Sequence, residues 1–476
     1  MPRPPSSATL AELKAAVAPG DGLDSADDLG PYLSDFRRLY RGATPLVLRP
    51  RSVEQVARIL TICHREEVAV VPHGGNTSYC GGATPDESGS QIVVSMQRLN
   101  RVRHIDAANY SMIVEAGCTL AGVQAAARDA NRLFPLSLGS EGTAQIGGNL
   151  STNAGGTAVL RYGMMRDLVL GLEVVLADGQ VIHALKSLRK DNTGYDVKSL
   201  FIGAEGTLGL ITAASLKLFP LSADTATALV GIDSPRHALE LLARLRGAAG
   251  DQVSSFELMP RIAVQMTVQS VPGAANPLDF DCAWYLLIEL GSPNPNQNLT
   301  ALLTQELEEA AASGTVKDAM LASSLAQAQA MWKLRESIPE AQRRHGASIK
   351  HDVSVPVSAI PTLIEKGTAL INELAPDGDV VSYGHAGDGN LHFNVSQKPG
   401  TEPAAFTGRT HALERAMFDL VESLGGSISA EHGIGRLKAA EFGRRADPVE
   451  LRVMHLLKNA LDPKGIMNPG KVLCAN

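Results

Sequence analysis

No stretch of the 476 residues is long and apolar enough to form a membrane-spanning helix, so a transmembrane protein is not expected. The opening MPRPPSSATLAELKAAVAPGDG also lacks a continuous apolar core ahead of a small-residue cleavage site, and the expected location is cytoplasmic. Long Lys/Arg runs are missing too. With a net charge of −7 there is no basic face to neutralise phosphates, so nucleic acid is not an expected partner. Cysteine is sparse: Cys63, Cys80, Cys118, Cys282 and Cys474 are odd in number, scattered and without a C-x-x-C pair, which fits reduced thiols and not a disulfide frame. Two nucleotide signatures fail as well. No G-x-G-x-x-G follows a strand-like run, and although Gly465 to Lys471 matches G-x-x-x-x-G-K, Val472 stands where Ser or Thr must reach magnesium.

The composition that remains, 44% hydrophobic and 20% charged, is that of a folded globular chain too long for one hydrophobic core. Val53, Val56, Ile59, Leu60 and Cys63 recur at helical spacing behind a capping Ser52, and VAVVP follows as a short buried strand. That strand runs straight into HGGNTSYCGG. IVVS and SMIVEAG read as further strands, LAGVQAAARDA as a helix, and the apolar alternation around Ala177-Asp178-Gly179 as a hairpin. The Gly/Ser/Thr/Asn-dense stretch from Leu138 to Gly171 reads as folded loop. From about Leu221 glycine thins out, and amphipathic helices such as PRHALELLARLRGAAG and LTALLTQELEEAAASG alternate with strands such as CAWYLLIEL, the mark of a second α/β domain. After SAEHGIG the chain returns to a loop-helix-loop pattern able to pack back on the first domain.

Three segments are rich enough in glycine to cradle phosphate: Pro72 to Gly82, Ile146 to Gly156, and Gly203 to Gly209. Without a Cβ, successive backbone N–H groups can surround anionic oxygens, whereas one such run alone is as often a simple turn. Three in one domain favour a bound pyrophosphate.

In VVSYGHAGDGNLHFNV, His385 and His392 flank a tight turn between two strand-like runs, which can fold the imidazoles toward each other. SISAEHGIGR adds adjacent Glu431 and His432. Two imidazoles and a carboxylate from His385, His392 and Glu431 make a three-ligand set for zinc, manganese or a similar divalent ion, with a position left open for substrate. Asn394, two residues beyond His392 on the same strand face, is placed to complete a polar pocket. His64, His104, His183, His237 and His411 read as structural.

With these motifs in view, residues 44–473 resemble the vanillyl-alcohol oxidase-like flavoproteins, and the whole looks like their D-lactate and D-2-hydroxyglutarate dehydrogenase branch. The resemblance implies an α+β fold: a two-subdomain PCMH-type FAD-binding domain (44–220) after an N-terminal segment (1–43), an α/β substrate or cap domain (221–430), and a C-terminal segment (431–476) returning to the FAD domain. It places FAD against Pro72, His73, Gly74, Gly75, Asn76, Thr77, Gly81 and Gly82. Along the flavin and ribityl chain it places Ser140, Gly142, Thr143, Gly147, Gly148, Asn149, Thr152, Asn153, Gly155 and Gly156. Arg161, Tyr162, Gly163, Glu205, Gly206, Thr207, Ile211 and Asn468 continue that wall. His73 does not match the attachment position of covalent-flavin relatives, so dissociable FAD is expected.

By the same resemblance His385, His392 and Glu431 bind the metal, zinc being the first choice, and His432 is the base. The chemistry requires such a pair. A free alcohol is too weak an acid to lose its proton while its C2 hydride moves to flavin N5; a cation beside the hydroxyl and a histidine of near-neutral pKa divide that task. Arg335 and Lys350 match positions that grip substrate carboxylates, and two cations imply a dicarboxylate, D-2-hydroxyglutarate. Pro339 departs from the pattern, standing where relatives specific for that substrate carry a hydroxyl, which keeps D-lactate, D-malate and glycolate open. The acceptor is expected to be a quinone or an electron-transfer flavoprotein, and the candidate assembly is a homodimer. A flavin relay subunit would call for iron–sulfur cysteines, and a non-redox ether-lipid synthase for a histidine-rich run with membrane association; neither is seen.

Overall fold

The computed structural model describes residues 2–278 and 281–474. Its contacts divide the chain into two compact units, one of Met1–Ala154, Met164–Pro220 and Glu431–Asn476, the other of Gly155–Gly163 and Leu221–Ala430.

The first unit holds two sheets. Ser52 caps the helix Val53–Glu66 by accepting from the Gln55 amide, and Val53, Val56, Ile59, Leu60 and Cys63 form its buried stripe, as their spacing predicts. The helix stops at Glu67, whose left-handed φ of 57° turns the chain into strand Val70–His73. That strand runs parallel to Ile92–Ser95, which pairs in turn with Val47–Leu48, and Gly22–Leu23 closes the four-stranded sheet. On its other side, the Val70 amide donates to the Ile466 carbonyl and the Asn468 amide donates back to Val70, so the C-terminal segment extends this layer. The second sheet has the order Val102–Asp106, Ser111–Glu115, Leu210–Lys217, Val169–Val175, Val181–Ala184. Its last two strands are the expected hairpin, and its turn needs Gly179 (φ 90°), where a Cβ would lie 2.0 Å from the Thr61 hydroxyl.

One stretch differs from the sequence reading. Ile146–Ser151, expected as loop, is a short helix despite its paired glycines. Packing overrides propensity there: a Cβ on Gly147 would come within 2.8 Å of the Ala116 Cβ, so only glycine lets the helix lie against the strand end.

The second unit is built on an eight-stranded sheet with the path Asp318–Leu321, Asp224–Ile232, Trp284–Ser292, Val253–Pro260, Gly378–His385, Asn390–Gln397, Ser348–Ile349, and Asp352–Ser354 also pairing with Asn390–Gln397. Both faces are covered. Leu286, Ile288 and Leu290 join one core with Leu241, Leu245 and Leu303 from helices Pro235–Ala249 and Leu299–Ala312. Tyr285 and Leu287, pointing the other way, join Met259, Leu334, Ile338 and Tyr383. This double burial is why WYLLIEL reads as a continuous apolar run.

The second sheet of the first unit carries buried charge. Glu115 (0% exposed) accepts from Arg101 and Arg103, and Arg103 also reaches Glu173 at 3.0 Å. Removing the shared cation leaves Glu115 to Arg101 alone and takes the guanidinium from buried Glu173. Arg103→Met is expected to destabilise this unit by about 3–5 kcal/mol, read as a lowered urea midpoint; a midpoint unchanged from the parent would show that the acids are solvated.

Candidate active site

In the first unit, strand Val70–His73 ends at the glycine loop, and three glycine-bearing segments converge on it. A Cβ on Gly75 would lie 2.0 Å from the Thr143 carbonyl oxygen, one on Gly206 (φ 72°) 2.7 Å from Pro72 Cγ, and one on Gly82 3.1 Å from Glu205 Oε2. Gly142 and Gly148 differ, since a Cβ at either would meet nothing within 4 Å. The first set of glycines is demanded by packing; the second faces open space. Among the described residues the amides of Gly75, Asn76, Thr77 and Ser78 make no hydrogen bond within the chain, a run of donors suited to an anion.

Asn76, Asn153, Glu205 and Asn468 all hold positive φ, at 53°, 49°, 50° and 41°. Such backbone persists where surrounding contacts fix it. Asn468 Nδ2 donates to the carbonyls of Gly82 (3.0 Å) and Glu205 (2.7 Å), and Asn76 Nδ2 to that of Ser34 (2.8 Å). Buried Glu205 accepts from the amides of Ile434 (2.7 Å) and Gly435 (2.9 Å); burial raises its pKa, against those two hydrogen bonds. Among the described residues several buried side-chain atoms here have no hydrogen-bond partner: both ring nitrogens of His73, Gln145 Oε1, Asn149 Oδ1 and Asn468 Oδ1. Unsatisfied groups of this kind, beside a cradle a Cβ would fill, fit a polar cofactor that completes them.

Other expected contacts are placed differently. Thr152 and Thr207 spend their hydroxyls on the carbonyls of Gly148 and Ala204, and Ile211 is buried in strand Leu210–Lys217. Ser140 serves the same turn through its carbonyl, which accepts from Thr143 and Ala144. Gly155, Gly156, Arg161, Tyr162 and Gly163 cluster with the second unit, where Arg161 donates to the Gly291 carbonyl at 2.6 Å. His432 stays in the first unit, its ring 4.5 Å from that of Tyr79 in the glycine loop, while the next residue, Gly433, accepts the Cys80 thiol.

In the second unit the histidines meet as their motif predicts. His385 ends one strand of a hairpin and His392 lies in the other, opposite Tyr383; each presents a ligand atom within 4.8 Å of the other's. Gly389 (φ 93°) makes the intervening turn, since a Cβ there would lie 2.1 Å from the Val355 carbonyl oxygen. His385 Nδ1 is 2.6 Å from Glu257 Oε1, and His392 Nδ1 is 3.7 Å from Asp352 Oδ1. Arg335 places Nε and Nη2 each 2.7 Å from Glu257 Oε2. Burial alone would raise the Glu257 carboxyl, but His385 and Arg335 outweigh it and hold it at about 2. Asn394 donates to Gln342 Oε1 at 2.9 Å, and Gln342 to Ser396 at 3.1 Å. Lys350 is half-buried between the two short strands that flank it. Glu431 follows directly on Ala430, whose amide donates to the Asp352 carbonyl at 3.4 Å. Sequence reasoning missed Glu257, Asp352 and Gln342. The available signal for Glu257 was a lone carboxylate inside the otherwise uncharged strand run SSFELMP.

Comparison with known proteins decides the family. Residues 44–185 match a FAD binding domain and residues 221–472 the C-terminal domain of FAD-linked oxidases. Bovine D-2-hydroxyglutarate dehydrogenase, mitochondrial, is 40% identical over 96% of this chain and 82% of its own length. The chain belongs to the D-2-hydroxyglutarate dehydrogenase family of FAD-linked oxidases. The enzyme of that name from Stutzerimonas stutzeri is 34% identical over 98% of this chain and 99% of its own length. A solved alkyldihydroxyacetonephosphate synthase superposes with a TM-score of 0.76 at 18% identity, covering 98% of this chain and 86% of that one. That likeness shows the fold: the α+β, PCMH-type FAD-binding architecture with an α/β second domain. FAD is the cofactor of the matched families, and the family member described here keeps the loops for it. The expected cytoplasmic location does not hold, because the bovine relative is designated mitochondrial. Among the described residues no helix is long and apolar enough to cross a membrane.

Two outcomes follow from the loop geometry. Gly75→Ala cannot be accommodated beside the Thr143 carbonyl, so the variant should purify with FAD absorbance reduced at least about tenfold relative to protein; full flavin content would show that the loop can move aside. The second concerns His73. Burial pushes its imidazole from the usual 6.5 down to about 4. The unfolded chain therefore binds a proton that the folded chain refuses between those values, so this contribution is complete above pH 6.5 and is lost as the pH falls toward 4. It amounts to about 3 kcal/mol at most. Flavin-free His73→Phe should lose less stability between pH 7 and pH 5 in urea titrations than flavin-free parent; equal losses would assign the acid sensitivity elsewhere.

Proposed function

We propose that this protein oxidises D-2-hydroxyglutarate to its 2-oxo acid with dissociable FAD and a divalent cation, zinc being the first choice. The observation that carries this reading is the His385–His392 pair, oriented by a buried carboxylate, in a chain whose relatives of 34–40% identity are named for that reaction.

FAD supplies the hydride acceptor, and the cation supplies a Lewis acid that eases loss of the hydroxyl proton. His385 and His392 each offer one potential ligand atom, and Glu431, matched by its motif, is the third ligand. Glu257 on Nδ1 of His385 directs that ring's Nε2 toward an ion. His432 accepts the hydroxyl proton. Arg335 and Lys350 bind the substrate carboxylates, and Asn394 holds the pocket's polar wall through Gln342. On the flavin side, the amides from Gly75 to Thr77 receive the pyrophosphate, while Gly142 and Gly148 leave room beside His73, Asn149, Thr152, Asn153 and Asn468. Electrons pass on to a quinone or an electron-transfer flavoprotein.

A shorter D-2-hydroxy acid is the second reading, and Arg335 favours it. Two of its donors already serve Glu257, and Pro339, in the first turn of helix Ile338–His345, brings no hydroxyl to the substrate. Turnover of both enantiomers of 2-hydroxyglutarate, lactate and malate with an artificial dye decides between them. D-2-hydroxyglutarate should give the highest kcat/KM, EDTA should abolish turnover and zinc restore it, and His432→Asn should lower kcat by about 10²–10⁴-fold with FAD retained. Chelator-resistant turnover would overturn the metal, and a preference for D-lactate the dicarboxylate.

A further inference from the structure

Glu257 belongs to none of the recognisable motifs, yet it touches both functions assigned to the second unit. It stands on strand Val253–Pro260 directly opposite His385 in the antiparallel register. One carboxylate oxygen meets His385 Nδ1 at 2.6 Å; the other meets Nε and Nη2 of Arg335, each at 2.7 Å. The Arg335 guanidinium also lies over the Tyr383 ring, with Cζ 4.9 Å from its centroid. Glu257 and Arg335 are both buried, at 0% and 6% exposure, so water is no ready substitute for either partner.

We propose that Glu257 is a positioning residue that locks the metal-ligand side of the site and its substrate-carboxylate side into one geometry. The inference rests on the metal-assisted reading above. An ionised carboxylate only accepts hydrogen bonds, so the proton of a neutral His385 must sit on Nδ1. The lone pair of Nε2 is thereby the one presented to a cation, with the ring plane fixed by a short charge-assisted bond. Through its second oxygen the same carboxylate sets the plane of the Arg335 fork. The imidazole and the guanidinium are therefore not independently adjustable: a shift in one moves the anchor of the other. A carboxylate that merely neutralised Arg335 would leave His385 free to take either tautomer.

Glu257→Gln tests this in the FAD-bound protein. The amide can accept from only one partner through oxygen, and its NH₂ then opposes an N–H of the other. Zinc affinity, measured by competition with a chromophoric chelator, is expected to fall about 10–100-fold, and KM for D-2-hydroxyglutarate to rise while flavin content stays at the parent level. Glu257→Asp, which keeps the charge at shorter reach, should recover part of the zinc affinity. If Glu257→Gln proves unstable, the double variant Glu257→Leu/Arg335→Met, which removes both buried charges together with the acceptor on His385 Nδ1, takes its place, with the same loss of zinc affinity expected. Zinc affinity within about twofold of the parent in either variant overturns the inference, even where turnover falls. A parent protein that binds no zinc overturns the metal-assisted reading first, and the role given to Glu257 falls with it.

Discussion

A carboxylate taken out of water must be matched by donors or cations, and in each unit this requirement decides what lies around the site. Glu115 and Glu173 are matched by Arg103 between strands, which closes the second sheet of the first unit electrostatically. Among the described residues Glu205 has no side-chain cation at hydrogen-bonding distance and relies on the amides of Ile434 and Gly435. That choice reaches back into the sequence. A Cβ on Gly433 would lie 2.7 Å from Glu205 Oε1, and one on Gly435 2.2 Å from the Cys80 carbonyl, so of the two glycines in EHGIG the first is required by a buried acid more than two hundred residues away and the second by the backbone at Cys80. Glu257 is matched from two sides, by an imidazole and a guanidinium, and so joins groups that arise on different elements.

Glycine in this protein does two separate jobs. At Gly75, Gly147 and Gly206 the missing Cβ lets backbone approach backbone or proline, and any side chain would push the segments apart. At Gly142 and Gly148 nothing among the described residues lies within 4 Å of the place of the absent Cβ. A sequence cannot distinguish the two, because both are written as the same residue in similar surroundings. The distinction matters chemically: the first kind builds the wall, and the second leaves it open.

Much of the fold was legible because period and capping agreed. The Ser52-capped helix, the strand that follows it, the hairpin around Gly179 and the apolar strand at Trp284–Ser292 all carry local signals that tertiary packing then reinforced. The helix at Ile146–Ser151 was not legible, since close packing on Ala116 reversed the preference of its glycines. The histidine hairpin could be read from spacing. The carboxylate behind it could not, because a single Glu in SSFELMP gains its meaning only from pairing across to Gly378–His385. Location was misread: an amino terminus without an apolar core carries too little information against a relative designated mitochondrial.

On the proposed reading, the two cations at the substrate end are unequal. Arg335 shares its charge with Glu257, so its long-range pull on an anion is largely cancelled, and what remains is directional: N–H groups held in a fixed plane by a carboxylate and a tyrosine ring. Lys350 carries a compact charge on a flexible stem between two short strands. A neutralised fork discriminates by angle, whereas an ammonium on a flexible stem discriminates weakly. Selectivity for chain length then depends less on the number of positive charges than on the angle at which Glu257 sets the guanidinium, and that angle is tied to the orientation of His385. In such a site the far end of the substrate is measured against the metal, not against the surface of the pocket.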